Sequence, residues 1–199
     1  MKEQTFILAS ASPRRKEILQ SIGIEALIQP SNAEENMQQD ILPDMLVQQL
    51  ALLKAADVAK GKGSGYYVIG ADTVVYDGTH IMGKPDSASH AAQVLQTLAG
   101  NWHEVYTGIA VVSTTTGKGA TRVECSRVHF KPLSKAEIAA YIETGEYRDK
   151  AGGYGIQGKG ALLVDRIEGD YFNIVGFPVS KFHDLLKEEF EENILAFHP

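Results

Sequence analysis

Four residues of the stretch SASPRR, Ser10, Ser12, Arg14 and Arg15, combine hydroxyl groups with guanidinium charges directly after a short apolar run. Ser12 has the character of a helix N-cap, and Pro13 suits the first helical position, where no N–H is needed. The free N–H groups of a first turn, the positive end of the helix dipole, two hydroxyls and two guanidinium groups would then gather at one point. That arrangement suits an anion, most naturally phosphate. The same residues would also make a solvated, well-capped helix whose arginines pair with surface carboxylates.

Two further charges interrupt apolar patterns. Lys54 follows Leu50 by four residues and Leu46 by eight, so it falls on the apolar stripe of its helix and either snorkels or meets an anion. Asp72 alternates with Val68, Gly70 and Val74 in a run with no other charge from Tyr66 to Tyr76. A lone buried carboxylate needs a metal, a basic partner or a changed proton affinity. The alternative is an aspartate placed at a strand end for turn-making. Lys84 in MGKPD and Lys150 at the head of the glycine-rich segment add basic groups near turns, and the Gln157 amide can both donate and accept. Carboxylates such as Glu35 and Asp72 are compatible with phosphates when a hard divalent cation, magnesium or manganese, lies between them. The set points to phosphate-ester or anhydride chemistry.

Two tempting motifs are rejected on context. Gly153, Gly155 and Gly158 match GxGxxG, but EYRDKA before them is no buried strand and the strand-like ALLVD follows where a helix is required. GKGSG at 61–65 lacks the hydroxyl residue that follows the lysine of a phosphate-binding loop.

The elements that must position these residues alternate between strand and helix patterns. Phe6, Ile7 and Leu8 read as a short buried strand, and Ile18, Leu19 and Ile22 as a helix that Gly23 ends. DMLVQQLALLKAADVAK carries a stripe of Leu46, Leu50 and Leu53. YYVIGADTVVYDGTHIM is strand-rich with an Asp77-Gly78 turn, and SASHAAQVLQTLAG is a helix ending at Gly100. EVYTGIAVVSTTTGKG and TRVECSRVHFKPL are two strands around a glycine-containing turn. Ser134 and Glu137 form a capping box for a helix that Gly145 ends. DKAGGYGIQGKG is too rich in glycine for a regular element. ALLVDRI and YFNIVGF read as a closing pair of strands, and Pro178 starts a last helix through Phe182, Leu185 and Leu186. The expectation is one α/β domain over residues 1–199, a mixed twisted sheet with flanking helices and two lobes around a cleft.

Bulk properties narrow the partners. The 199 residues are 44% hydrophobic and 22% charged, the composition of an ordinary globular protein. A formal net charge of -6 argues against a broad nucleic-acid surface and favours small anions as ligands. Cys125 is the only cysteine, so neither an intrachain disulfide nor a thiolate zinc cluster can form. MKEQTFILAS has too few consecutive apolar residues for a signal peptide and no later run approaches a membrane span, so a cytosolic protein without membrane contact is expected.

Taken in order, SASPRR at 10–15, the Glu34-Glu35 pair, LLKA around Lys54, GADT at 70–73, GKP at 83–85, YTG at 106–108, DKAGGYGIQG at 149–158 and GDYFNIVGFP at 169–178 resemble the Maf proteins across essentially the whole chain. That family is named for septum-formation phenotypes and comprises nucleoside triphosphate pyrophosphatases. The resemblance implies a deep-cleft α/β fold related to that of the inosine triphosphate pyrophosphatases. It also implies metal-dependent hydrolysis of a nucleoside triphosphate to monophosphate and pyrophosphate. By it Asp72 matches the proton acceptor, Glu35 helps to hold the metal, and Ser10, Ser12, Arg15, Lys54 and Lys84 match the phosphate-binding cleft. Arg14, Thr73 and Gln157 match the branch acting on dTTP and UTP. Glu34 stands where the family often has aspartate, and Gly83 where it often has glutamate. A homodimer and a role in nucleotide house-cleaning or division arrest are further implications. The rival reading is a nucleotide-binding regulatory module without catalysis.

Overall fold

The computed structural model describes residues 5–34 and 41–197. Strands β1 (Thr5–Leu8), β2 (Ala26–Ile28), β3 (Tyr66–Tyr76), β4 (Ile81–Met82), β5 (Trp102–Ser113), β6 (Gly119–Phe130) and β7 (Val164–Glu168) form a seven-stranded sheet in the order β2-β1-β3-β5-β6-β7, with β4 paired to β3. The sheet is mixed: β1 runs parallel to β2 and β3, whereas β3 with β4 and β6 with β7 are antiparallel. The β1–β3 register sets Thr5 opposite Tyr66 and Leu8 opposite Ile69. Helices are α1 (Pro13–Ser21), α2 (Pro43–Ala59), α3 (Ala88–Leu98), α4 (Lys135–Glu143), α5 (Tyr171–Val175) and α6 (Val179–Phe190). This is the mixed α/β sheet with helices that the alternating pattern predicts. Among the described residues, no helix is long and apolar enough to cross a membrane.

The chain divides into two compact units, the first comprising Met1–Asp72, Thr107–Glu124 and Gly176–Pro199, the second Thr73–Tyr106 and Cys125–Val175. In the first, small residues dominate the contact between α2 and the sheet: Ala51, Ala55 and Val58 pack with Ile7, Ala9, Val68, Ala110 and Val112. Glycine makes that approach close. A Cβ on Gly70 would lie 2.0 Å from the Ala51 carbonyl oxygen, and one on Gly108 would lie 2.3 Å from that of Val47. The buried stripe of α2 therefore runs through Leu46, Val47, Leu50, Ala51, Ala55 and Val58. Leu53, placed on the stripe by spacing, is 39% exposed. With alanines against the sheet, the larger leucine has been turned outward. In the second unit the core is bulkier, with Val94, Leu95, Leu98, Phe130, Ile138, Tyr141 and Tyr154 among its members.

Local signals account for most boundaries. Gly23 adopts φ +79, its N–H bonding to the Gln20 oxygen, and so ends α1 as a left-handed residue. Ser134 accepts the Glu137 N–H at 3.2 Å while the Glu137 carboxylate accepts the Ser134 N–H at 2.7 Å, completing the capping box of α4. Ser12 holds the N-cap position of α1, but its side chain makes no capping bond.

One element differs in type from the sequence reading. YFNIVGF, rich in aromatic and β-branched residues, supplies helix α5 instead of a strand. The cause is polar. The Asp170 carboxylate accepts the Phe172 N–H at 2.8 Å and starts a turn, and the buried Asn173 amide then donates to the Val105 carbonyl and to Ser126 Oγ, both at 2.9 Å. A strand there would forfeit those bonds.

Candidate active site

The first group of predicted residues lies where β1 gives way to α1. After Leu8 the Ala9 N–H still pairs with the Ile69 oxygen at 2.8 Å, which delivers Ser10 to the end of the strand. Ser10 Oγ accepts two hydrogen bonds, from the Ser12 N–H and from Arg15 Nη1, each at 3.2 Å. Arg15 Nε donates to the Gly176 carbonyl at 2.9 Å. Arg15 is therefore oriented from two sides before any ligand arrives, and its position is set by the serine that the sequence placed beside it. Arg14, the next residue back, is half-buried, and its side chain has no ion-pair partner among the described residues.

The second group is a lysine and a carboxylate. Gly70 and Asp72, two residues apart, share the face of β3 that meets α2. Lys54 lies one turn beyond Ala51, the residue that Gly70 admits. Lys54 Nζ reaches Asp72 Oδ1 at 2.5 Å, and the two side chains are each 13% exposed. This settles what the patterns left open. Lys54 meets an anion, and the interrupting carboxylate of β3 is balanced by a cation. The pair is only partly desolvated. Thr73, the next residue of β3, is half-buried. Glu35, expected to share a metal with Asp72, lies outside the described residues. Among the described residues no group of three or more His, Cys, Asp or Glu side chains forms a metal cluster.

The third group belongs to the second unit and is organised by the glycine-rich segment. Gly152, with φ +66, donates its N–H to the Gly83 oxygen at 3.0 Å, which ties the segment to the turn carrying the exposed Lys84. A Cβ on Gly152 would meet Val75 Cγ2 at 2.8 Å, so both the conformation and the space call for glycine. Residues Ala151–Gly153 and Gly158–Leu162 form short 3₁₀ turns, and Gln157 is exposed just before the second. Lys150 Nζ donates to the Glu146 carbonyl at 2.5 Å. The Glu146 carboxylate accepts the N–H groups of Lys159 at 3.1 Å and Gly160 at 3.2 Å.

Two residues that matter to this group carry no signal in the pattern. Glu146 follows the helix-ending Gly145 and looks like any surface glutamate. His103 occupies an ordinary alternating position in β5, yet it is 1% exposed and its Nε2 lies 2.7 Å from the Tyr154 hydroxyl. Its ring stands edge-on to those of Phe130 and Tyr154. Burial, with a smaller contribution from the charge of His129, lowers its pKa to about 4, so the imidazole stays neutral near pH 7. Burial also pushes the Tyr154 hydroxyl well above the usual tyrosine range. A neutral pair thus anchors the middle of the glycine-rich segment to β5.

The mixed α/β sheet that carries these groups has a counterpart among solved structures. The Staphylococcus aureus Ham1 protein matches with a TM-score of 0.55 over 94% of this chain and 98% of that one, and at 13% identity the likeness concerns the fold alone. The family model described as Maf-like protein matches residues 5–189, and the chain belongs to that family. Two relatives, from Desulforamulus reducens and Acetivibrio thermocellus, are named dTTP/UTP pyrophosphatase. The first is 46% identical across 92% of this chain and 95% of its own length, the second 48% identical across 92% and 94%.

Proposed function

We propose that this protein hydrolyses nucleoside triphosphates between the α- and β-phosphates, releasing nucleoside monophosphate and pyrophosphate, with dTTP and UTP as the main substrates and CTP or modified pyrimidine nucleotides as further ones. The observation that carries the reading is the Lys54–Asp72 pair at 2.5 Å on the α2 face of β3, in a member of the Maf-like family. The names of its relatives support the choice of substrate.

In this mechanism Asp72 accepts the proton of the attacking water while Lys54, bonded to Oδ1, fixes the direction in which the carboxylate points. Arg15, held by Ser10 and Gly176, and Arg14 with Ser12 at the mouth of α1 bind phosphate oxygens. Lys84 adds positive charge for the leaving pyrophosphate. Gln157 pairs with the base, because uracil and thymine each offer a carbonyl and an N–H to an amide. Arg14 and Thr73 complete the selection of substrate. The two bases differ by one methyl group, worth about 1–3 kcal/mol in a tailored pocket, so dTTP and UTP are both turned over.

The reading includes magnesium or manganese. Magnesium commonly takes one or two carboxylates together with waters and substrate phosphate oxygens, and Asp72 offers a donor of that kind, with Glu35 as the second. When bound, such a cation withdraws charge from the phosphate oxygens. The cellular tasks that fit this reaction are nucleotide house-cleaning or division arrest.

The test is pyrophosphate release from dTTP, UTP, CTP, 7-methyl-GTP, ITP and ATP with magnesium or manganese, beside Asp72→Asn. The expected result is pyrophosphate from dTTP and UTP, with kcat lowered ~10²–10⁴-fold in the variant while nucleotide affinity persists, as for loss of a general base. Nucleotide binding without turnover would instead make the protein a regulatory module, and diphosphate as product would place cleavage at the wrong bond.

A further inference from the structure

We infer that Glu146 is a positioning residue whose carboxylate sets nucleobase selectivity by holding the Gln157 loop, without itself touching substrate; the inference rests on the pyrimidine nucleotide reading above. Three bonds converge on this one residue. Its backbone carbonyl accepts Lys150 Nζ at 2.5 Å, a bond independent of the side chain, while its Oε1 accepts the Lys159 N–H at 3.1 Å and its Oε2 accepts the Gly160 N–H at 3.2 Å. Glu146 is itself fixed, because its N–H donates to Thr144 Oγ1 at 3.1 Å and that hydroxyl donates to the Tyr141 carbonyl at 2.7 Å, at the end of α4. The loop is thereby fastened to a helix.

The glycines show how closely the loop is fitted to this carboxylate. Gly158 has φ +64, and a Cβ there would lie 3.0 Å from both carboxylate oxygens. A Cβ on Gly160 would lie 2.0 Å from the Gly155 carbonyl oxygen, and one on Gly155 would lie 2.8 Å from Lys150 Cε. Residues 155–160 therefore form a small closed arch with Gln157 exposed on it. Successive N–H groups that point together make a seat for an anion. In this arch the seat of Lys159 and Gly160 is filled by the protein's own carboxylate, so these amides serve internal order and not a substrate phosphate. The first half of the segment has different anchors, the Gly152–Gly83 bond and the His103–Tyr154 pair. Glu146 secures the half that presents the amide assigned to the base.

A group that positions a base-reading amide affects ground-state binding and discrimination more than the chemical step. The experiment uses the full chain with Glu146→Ala and Glu146→Gln, measuring kcat and KM for dTTP, UTP and CTP, thermal stability, and amide hydrogen exchange at residues 157–160. Glu146→Ala is expected to raise KM for dTTP and UTP ~10-fold, within the 10²-fold that a 1 Å misplacement can cost, to keep kcat within about threefold, and to narrow the preference for dTTP over CTP. Exchange at Lys159 and Gly160 should accelerate. Glu146→Gln keeps one acceptor oxygen and should fall between wild type and the alanine variant, which also guards against misfolding of the latter. An unchanged ratio between bases, or an equal fall in kcat for all three with KM unchanged, overturns the assignment. A wild-type protein that releases no pyrophosphate from any of the three overturns the nucleotide reading and base selection with it. The exchange measurement separately decides whether Glu146 holds the loop, and unchanged exchange overturns that part.

Discussion

Replacing Gly70 with alanine tests the claim that a single missing side chain sets the distance between Lys54 and Asp72. The new Cβ would lie 2.0 Å from the Ala51 carbonyl oxygen and 3.0 Å from the Ala55 nitrogen, both backbone atoms of α2 that no side-chain rotation can clear. To restore a separation of 3.0 Å from that oxygen, the helix must retreat from β3 by about 1 Å. Lys54 travels with the helix, and its 2.5 Å bond to Asp72 lengthens correspondingly. Overpacking of this kind costs about 1–3 kcal/mol, and a clash with backbone belongs at the upper end. Alanine also narrows the unfolded ensemble, which offsets about 0.4–1 kcal/mol. The net loss is about 2 kcal/mol. With an unfolding entropy of roughly 2.1 cal/mol/K per residue, a chain of this length should lose about 5 °C in Tm. Gly61, where an added Cβ would meet nothing within 4 Å, is the control, and Gly61→Ala should raise Tm by about 1–2 °C. Thermal unfolding followed by far-UV circular dichroism reads both variants. A Tm for Gly70→Ala within about 1 °C of wild type would refute the close-approach argument.

Two other outcomes follow from groups away from the phosphate-handling residues. His103 has its pKa lowered to about 4 in the fold from an ordinary 6.5, so between those values the unfolded chain binds the extra proton. Its contribution is fully present above pH 6.5 and is lost as pH falls toward 4, up to about 3 kcal/mol. Accordingly the imidazole resonances of His103 should show no titration from pH 8 to 5, and a midpoint near 6.5 would contradict its burial. Ser134→Ala removes the hydroxyl that receives the Glu137 N–H, and should cost about 1 kcal/mol and about 2–4 °C in Tm, read by the same unfolding assay.

Much of the architecture was legible before the structure because the deciding information is local. A proline after a serine, a glycine able to take positive φ and a Ser–Glu pair three residues apart act within one turn of chain, and α1, α4 and the end of α3 follow from them. The same locality explains the failure at α5. Its aromatic and β-branched composition argues for a strand, but Asp170 and the distant partners Val105 and Ser126 reward a helical turn. Leu53 failed for a related reason, since spacing defines a face of a helix but not how near that face lies to its neighbour.

The candidate site divides along the same line. Sequence alone determined that SASPRR heads a helix and that Lys54 and Asp72 are charges out of place in apolar patterns, because a charge that breaks a periodic burial pattern requires a partner. Tertiary structure decided that they are each other's partner, since they are joined only where Gly70 lets α2 approach β3. It also decided the roles of Glu146 and His103, whose residue types and spacing are unremarkable. Their importance lies in what the folded chain brings to them, two backbone amides in one case and a buried tyrosine hydroxyl in the other. Periodicity can report which side chains are withdrawn from water, but only packing decides which groups they meet there.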